Sequence, residues 1–193
     1  MCDIGRVQKE LKEIEKDKAS GVTVSIRDNN LQMLVGTVYG PKDTPYDGGI
    51  FTVDIQLPDS YPFVPPKMRF ITKVWHPNIS SANGAICLDI LKDNWSPALT
   101  LKTAMLSLQA LLACPEPKDP QDAVVAQQYL KDHKAYVATA KQWTADYANP
   151  NKKDEKVERL AEMGFDREAI KAALTACGGR SQHLGGALNQ TLS

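Results

Sequence analysis

Val22-Thr23-Val24-Ser25-Ile26-Arg27-Asp28-Asn29-Asn30-Leu31-Gln32-Met33-Leu34-Val35-Gly36-Thr37-Val38-Tyr39 is the stretch that decides the fold of this 193-residue chain. Residues 22–26 alternate apolar and small polar side chains, the period-two signature of a half-buried strand. Asp28-Asn29-Asn30 is turn chemistry, and a second β pattern runs over residues 33–39. The connection is too short for a crossover helix, so the two strands must pair antiparallel. After the turn-rich Gly40-Pro41-Lys42-Asp43-Thr44-Pro45, Ile50-Phe51-Thr52-Val53-Asp54-Ile55-Gln56-Leu57 alternates again, and Lys67-Met68-Arg69-Phe70-Ile71 supplies a fourth short strand. The reading is an antiparallel meander in an α+β chain.

Helical patterns flank the meander. Ahead of it, Ile4, Val7, Leu11 and Ile14 recur at helical spacing. Lys9, Glu10, Lys12, Glu13, Glu15 and Lys16 read as the solvated face, and the helix closes near Ala19-Ser20-Gly21. Beyond the meander, Leu101, Met105, Leu108 and Leu112 mark a helix ending at Cys114-Pro115, followed by helical stretches over 122–131 and 134–147. Residues 149–155 are polar, proline-broken and poor in apolar side chains, which marks a linker. It separates a region of residues 1–148 from a small module, residues 156–193, with three short helical patterns.

Composition narrows the function. Lys plus Arg total 23 and Asp plus Glu total 23, so no net field favours nucleic acid, and no nucleic-acid partner is expected. Met1-Cys2-Asp3-Ile4-Gly5-Arg6 contains no apolar core of a signal peptide, and no run of about 18 apolar residues occurs. The expectation is a soluble chain without a membrane partner, at work in the cytoplasm and open to the nucleus. Cys2, Cys87, Cys114 and Cys177 lie far apart without CxxC spacing, and His76, His133 and His183 do not cluster with them. Free thiols are expected, and no metal site.

The chemistry concentrates between residues 76 and 97. His76-Pro77-Asn78 is followed by Ile86-Cys87-Leu88-Asp89 and then Trp95-Ser96-Pro97. A cysteine close after an Asn-containing turn, in a chain with no other persuasive nucleophile, suggests thiol acyl transfer. Each residue taken alone has a plainer meaning. Cys87 between aliphatics is ordinarily a buried structural cysteine, and Asn78 a turn residue capping local backbone. His76 reads as a structural hydrogen-bonding residue, since Pro77 follows it at once. Tyr61-Pro62-Phe63-Val64-Pro65-Pro66 is a rigid turn whose exposed aromatic makes a low-entropy docking surface, with Tyr61-Pro62 a candidate cis bond.

Together these segments resemble the ubiquitin-conjugating enzyme (UBC) family. The matching stretches are Gly48-Gly49-Ile50-Phe51, Tyr61-Pro62-Phe63-Val64-Pro65-Pro66, His76-Pro77-Asn78, Gly84-Ala85-Ile86-Cys87-Leu88-Asp89-Ile90-Leu91 and Trp95-Ser96-Pro97-Ala98-Leu99-Thr100, in that order. The resemblance covers about residues 4–148. It implies the UBC fold: an N-terminal helix, a four-stranded antiparallel meander and three further helices. It also implies that Cys87 accepts ubiquitin from an activating enzyme as a thioester and passes it to a lysine amine of a protein substrate or another ubiquitin, usually with a ligase. Exchange between sulfurs needs no dedicated base, because a few per cent of a thiol is already thiolate at neutral pH. Aminolysis builds an oxyanion. The resemblance makes Asn78 its amide donor, a contribution of roughly 3 kcal/mol, with a structural role beside Cys87 the open alternative. Leu111-Leu112-Ala113-Cys114-Pro115-Glu116-Pro117-Lys118-Asp119-Pro120 is similar to the family's gate loop. Asp119 then orients or desolvates the amine, or takes up its proton, because a mere point charge would raise the amine's pKa. Asp89 is either a further candidate or a local hydrogen-bonding residue. Arg6, Lys9, Phe63, Pro97 and Ala98 match the surface for ligases and the activating enzyme. Cys114 is a bystander, open to oxidation if exposed. The resemblance implies a monomer with no cofactor on the chain, the ATP being consumed upstream by the activating enzyme.

In the small module, Lys156-Val157-Glu158-Arg159-Leu160-Ala161-Glu162-Met163-Gly164-Phe165 resembles a ubiquitin-associated (UBA) domain. Met163, Gly164 and Phe165 would meet a hydrophobic patch on ubiquitin, Gly164 allowing close approach. Gly185, Gly186, Gln190 and Thr191 depart from the family pattern and weaken the expected binding. A conjugating domain joined to a UBA domain resembles the chain-building subclass. Three other readings compete. The cargo could be another ubiquitin-like modifier. A cysteine protease would need His133 as base. A non-catalytic ubiquitin-binding adaptor would normally lack the nucleophile that Cys87 provides.

Overall fold

Asp28 and Asn29 both take positive φ, 53° and 54°, the type I′ pair whose twist matches that of the strands it joins. The computed structural model, which describes residues 2–152, builds its sheet outward from this turn. β1 (Val22–Arg27) pairs with β2 (Asn30–Tyr39), from Val22 opposite Val38 to Ile26 opposite Leu34. β3 (Ile50–Gln56) and β4 (Lys67–Phe70) continue it antiparallel in the order β1-β2-β3-β4. The tight turn lets pairing resume at Asn30, ahead of the Met33 start that alternation suggests.

Four α-helices occur among the described residues. α1 (Ile4–Lys16) is capped by Asp3, whose carboxylate accepts from Arg6 N, and a short 3₁₀ turn over Lys18–Ser20 leads into β1. α2 (Leu101–Ala113) starts at the Thr100 cap, and α3 (Ala123–Lys131) at Asp122. A single residue, Asp132, separates α3 from α4 (His133–Trp143): its N–H closes the first helix on Gln128 O and its carboxylate opens the second on Ala135 N. The sequence suggests one helix to Tyr147. Instead α4 widens into a π turn over Thr144–Ala148, where the Thr144 hydroxyl donates to Ala140 O.

The core joins Leu34, Val38, Phe51, Val53 and Ile55 of the sheet to Val7, Ile14, Leu101, Met105, Leu108 and Leu112 of the helices. α2 lies close on the sheet because Gly36 is bare: a Cβ there would stand 2.5 Å from Met105 Cε. The buried stripe of α1 is Val7, Glu10 and Ile14, while Ile4 is exposed. This corrects the placing of Glu10 on the solvated face. Residues 7, 10 and 14 share one side of a helix, and a carboxylate can occupy it if its bonds are met.

The chain divides into two compact units, residues 1–148 and 149–193. Within the segment read as a linker, residues 150–152 are helical. Asn149 Oδ1 accepts from Asn151 N at 2.9 Å, so Asn149-Pro150 acts as a cap with proline in the first turn, where its missing N–H costs nothing.

One glycine anchors the segment that carries the candidate site. Gly84 has φ +76°, donates to Ser80 O and accepts from Phe70 N, both at 2.9 Å. A Cβ there would meet Phe70 O at 1.9 Å. Gly84→Ala is expected to cost about 2–4 kcal/mol, read as a lower urea midpoint; an unchanged midpoint contradicts the anchoring role.

Candidate active site

Between β4 and α2 the chain has no long element, so side chains and isolated bridges must fix it. Arg69 bridges to Ala85, His76 to Ile79, and Ile79 to Ile86. His76 is fully buried. Its Nδ1 accepts from Asn78 N at 3.0 Å and its Nε2 lies 2.9 Å from Leu111 O. Nδ1 is therefore the bare nitrogen and Nε2–H the donor, a neutral imidazole. Burial pushes its pKa down from 6.5 to about 4, against the opposing effect of the Leu111 carbonyl. His76 ties this segment to the last turn of α2 and faces no reacting group.

Asn78 is equally buried, and its side chain makes three bonds. Nδ2 donates to Glu116 O and to Asp119 O at 2.9 Å each, and Oδ1 accepts from Glu116 N at 2.8 Å. Next to it, Pro77 O accepts from Gln121 N and Asp122 N at 2.9 Å each. Asp122 then accepts from Ser81 N at 3.0 Å and Ser81 Oγ at 2.6 Å, and caps α3 through Val125 N. Burial opposes the charged form of Asp122, but these hydrogen bonds outweigh it and hold the carboxyl below its usual range. Residues 116–122 are thus stitched to residues 77–81. The oxyanion role expected of Asn78 meets a physical obstacle here, because both its amide hydrogens are spent on gate-loop carbonyls.

The stitching fixes Asp119 beside the thiol. Cys87 N donates to Asn78 O at 2.9 Å, its half-buried sulfur reaches solvent, and Asp119 Oδ2 stands 3.5 Å from Sγ. A second neighbour escaped the sequence reading: Lys92 Nζ lies 3.4 Å from Sγ. The 3₁₀ turn Asp89–Leu91 folds the chain back to place it, and only the spacing from Cys87 hinted at this. Asp89 is occupied locally, accepting from Ile90 N and Asn94 Nδ2 at 2.7 Å each. Among the described residues no imidazole is bonded to the thiol, and no group of three His, Cys, Asp or Glu could hold a metal ion. Cys114 ends α2 with its thiol exposed.

The residues expected to meet partners divide in two. Lys9, Pro97 and Ala98 are exposed, and Phe63 is 78% exposed. Arg6 is a half-buried strut, with Nε 2.7 Å from Glu10 and Nη2 donating to Leu99 O at 2.8 Å. Tyr61-Pro62 is cis, and Trp95 Nε1 donates to Pro62 O at 2.8 Å. Met163, Gly164, Phe165, Gly185, Gly186, Gln190 and Thr191 lie outside the described residues.

A family model described as "Ubiquitin-conjugating enzyme" matches residues 6–144. The chain belongs to the ubiquitin-conjugating enzyme family. Its class is accordingly that of the ubiquitin-transferring acyltransferases, and the UBC fold is the architecture described above. A second model, for the UBA/TS-N domain, matches residues 152–181, starting inside the segment read as a linker and ending ahead of Gly185. Among curated relatives, "Ubiquitin-conjugating enzyme E2 27" of Arabidopsis thaliana is 58% identical, covering 93% of this chain and 94% of the relative. "Ubiquitin-conjugating enzyme E2 K" of Homo sapiens is 51% identical, covering 90% of each. Among solved structures, the E2 domain of a Toxoplasma gondii ubiquitin conjugating enzyme superposes with TM-score 0.72 at 53% identity, covering 75% of this chain and 97% of that one.

In this conjugating enzyme, His76 should announce itself through pH. Its folded pKa, about 4, lies below the unfolded 6.5, so the unfolded chain binds the extra proton. The stabilisation is present above pH 6.5 and is lost as pH falls toward 4, about 3 kcal/mol in all. Urea unfolding across that window should show a shallower decline for His76→Gln, from a lower starting stability. Parallel declines would assign the titration to another group.

Proposed function

We propose that Cys87 carries ubiquitin as a thioester, received from an activating enzyme, and surrenders it to a lysine amine of a protein substrate or of another ubiquitin, usually alongside a ligase. The observation that supports this is a solvent-reachable thiol with a carboxylate 3.5 Å away and no imidazole bonded to it among the described residues. Hydrolytic cysteine chemistry needs a positioned base, whereas exchange between sulfurs does not. In the transfer, the amine nitrogen attacks the thioester carbonyl, the C–N bond forms, the C–S bond breaks and Cys87 leaves as thiolate. Asp119 orients the amine and takes up its proton. Asn78 acts as a positioning residue: it holds the two carbonyls that keep Asp119 in place. The Lys92 ammonium stands beside the departing sulfur.

Residues 1–148 form the catalytic core in this reading, residues 149–155 the connection and residues 156–193 a UBA domain. Met163, Gly164 and Phe165 hold ubiquitin and bias the enzyme toward ubiquitinated acceptors, so that it builds chains. A tether of seven residues has a reach of roughly 15 Å if flexible, so the module's local concentration near Cys87 is of millimolar order and weak binding suffices. The chain works as a monomer in the cytoplasm and nucleus with no cofactor of its own, the ATP being spent by the activating enzyme.

Charging with activating enzyme, ATP and ubiquitin should give a thiol-sensitive adduct on a non-reducing gel, and a thiol-resistant one in Cys87→Ser. No adduct with any modifier would sink the reading. Asp119→Ala should slow discharge onto free lysine by about a hundredfold while charging changes little. Asn78→Asp keeps the acceptor for Glu116 N but leaves two carbonyls unpaired. Discharge should fall together with about 1–3 kcal/mol of stability; a slowed discharge at unchanged stability would instead restore the oxyanion role. Deletion from Val157 onward should shorten chains and reduce processivity, and unchanged chain length refutes the proposed role of the module.

A further inference from the structure

Glu10 is a carboxylate only 4% exposed, and neither transfer step uses it. Its oxygens accept from Arg6 Nε at 2.7 Å, from Tyr61 Oη at 3.0 and 2.9 Å, and from Leu101 N at 2.7 Å. These donors come from α1, from the turn carrying Phe63, and from Leu101 at the start of α2, directly after the strip of residues 95–100. Two more bonds close the ring, Arg6 Nη2 to Leu99 O and Trp95 Nε1 to Pro62 O, each 2.8 Å.

The arrangement is costly unless it is complete, since a buried carboxylate must have its hydrogen bonds met. It is also well placed. The Phe63 turn and the 95–100 strip have no sheet or helix ladder to hold them. Phe63 itself is 78% exposed, so its position is inherited from Tyr61 and Pro62. We infer that Glu10 is the positioning residue of the face on which the activating enzyme docks, setting the mutual placement of Phe63, Pro97 and Ala98. This rests on the reading that Phe63, Pro97 and Ala98 belong to the surface that meets the activating enzyme, the partner named in the proposed function. Loosening that placement moves an ordering cost into the binding step. The thiol is unaffected, because His76, Asn78 and Asp122 fix it independently.

Charging kinetics test this, with the full-length chain varied against limiting activating enzyme, ATP and ubiquitin. Glu10→Gln keeps the side chain's size but turns one acceptor into a donor facing other donors. The expected result is a KM for charging raised about tenfold, as for loss of a charge-assisted hydrogen bond, with kcat and discharge of loaded enzyme onto free lysine held within about twofold. Tyr61→Phe, which removes one donor and leaves the carboxylate, should move KM the same way by less. If Glu10→Gln does not fold, Tyr61→Phe decides by the same split. Wild-type KM in these variants, while Phe63→Ala raises it, overturns the inference and leaves the docking face standing. An unchanged KM in Phe63→Ala overturns the docking face itself, and the inference with it. A fall in kcat and discharge equal to the change in KM also overturns it, since that marks a general structural role.

Discussion

The candidate active site depends on one constraint: two irregular segments must satisfy each other's backbone groups. Residues 77–81 and 116–122 belong to no sheet or long helix, yet they pass close to the core, where unpaired N–H and C=O groups are expensive. The Asn78 carboxamide, the Pro77 carbonyl and the Asp122 carboxylate meet that need with bonds of 2.6–3.0 Å. Everything nearby inherits its position from this seam. Asp119 is held by its own carbonyl, which leaves its carboxylate free to face the sulfur. Cys87 is held by its own N–H, which leaves the thiol free to react.

The seam is anchored separately from the proposed partner face. His76 fastens residues 77–81 to α2 through Leu111 O, and Gly84 fastens the same segment to β4 through Phe70 N. The face carrying Phe63 and Ala98 hangs instead on Glu10. Two polar centres inside one domain therefore carry two tasks in the proposed function, holding the Cys87 thiol and presenting a surface. Both use buried polar groups whose bonds are complete; among the described residues no buried side-chain nitrogen or oxygen lacks a partner.

Much of the fold was legible because its signals are local. Alternation and the Asp28-Asn29 turn gave the hairpin, and the spacing of Leu101, Met105, Leu108 and Leu112 gave α2. The candidate site was legible only as a set of motifs, since Cys87, Asn78 and Asp119 come together through tertiary contacts that no periodicity encodes. The charge of Glu10 points to solvent, whereas its spacing from Val7 and Ile14 puts it on the buried stripe. Lys92 gave no signal beyond its distance from Cys87. Asn149-Pro150 reads as a break, but the same pair equally well begins a helix.

The joint between α3 and α4 has a consequence for how this domain can vary. Asp132 alone both closes one helix and opens the next, so the two helices are locked in phase. Each residue of an α-helix advances the face by about 100°. One inserted residue would rotate α4 by that amount and swing Tyr136 away from the Tyr46 hydroxyl, 2.7 Å distant, which itself donates to Trp75 O beside His76. The joint is a phase lock. Substitution at its surface leaves the active-site segment in place, whereas a change in its length is transmitted to it.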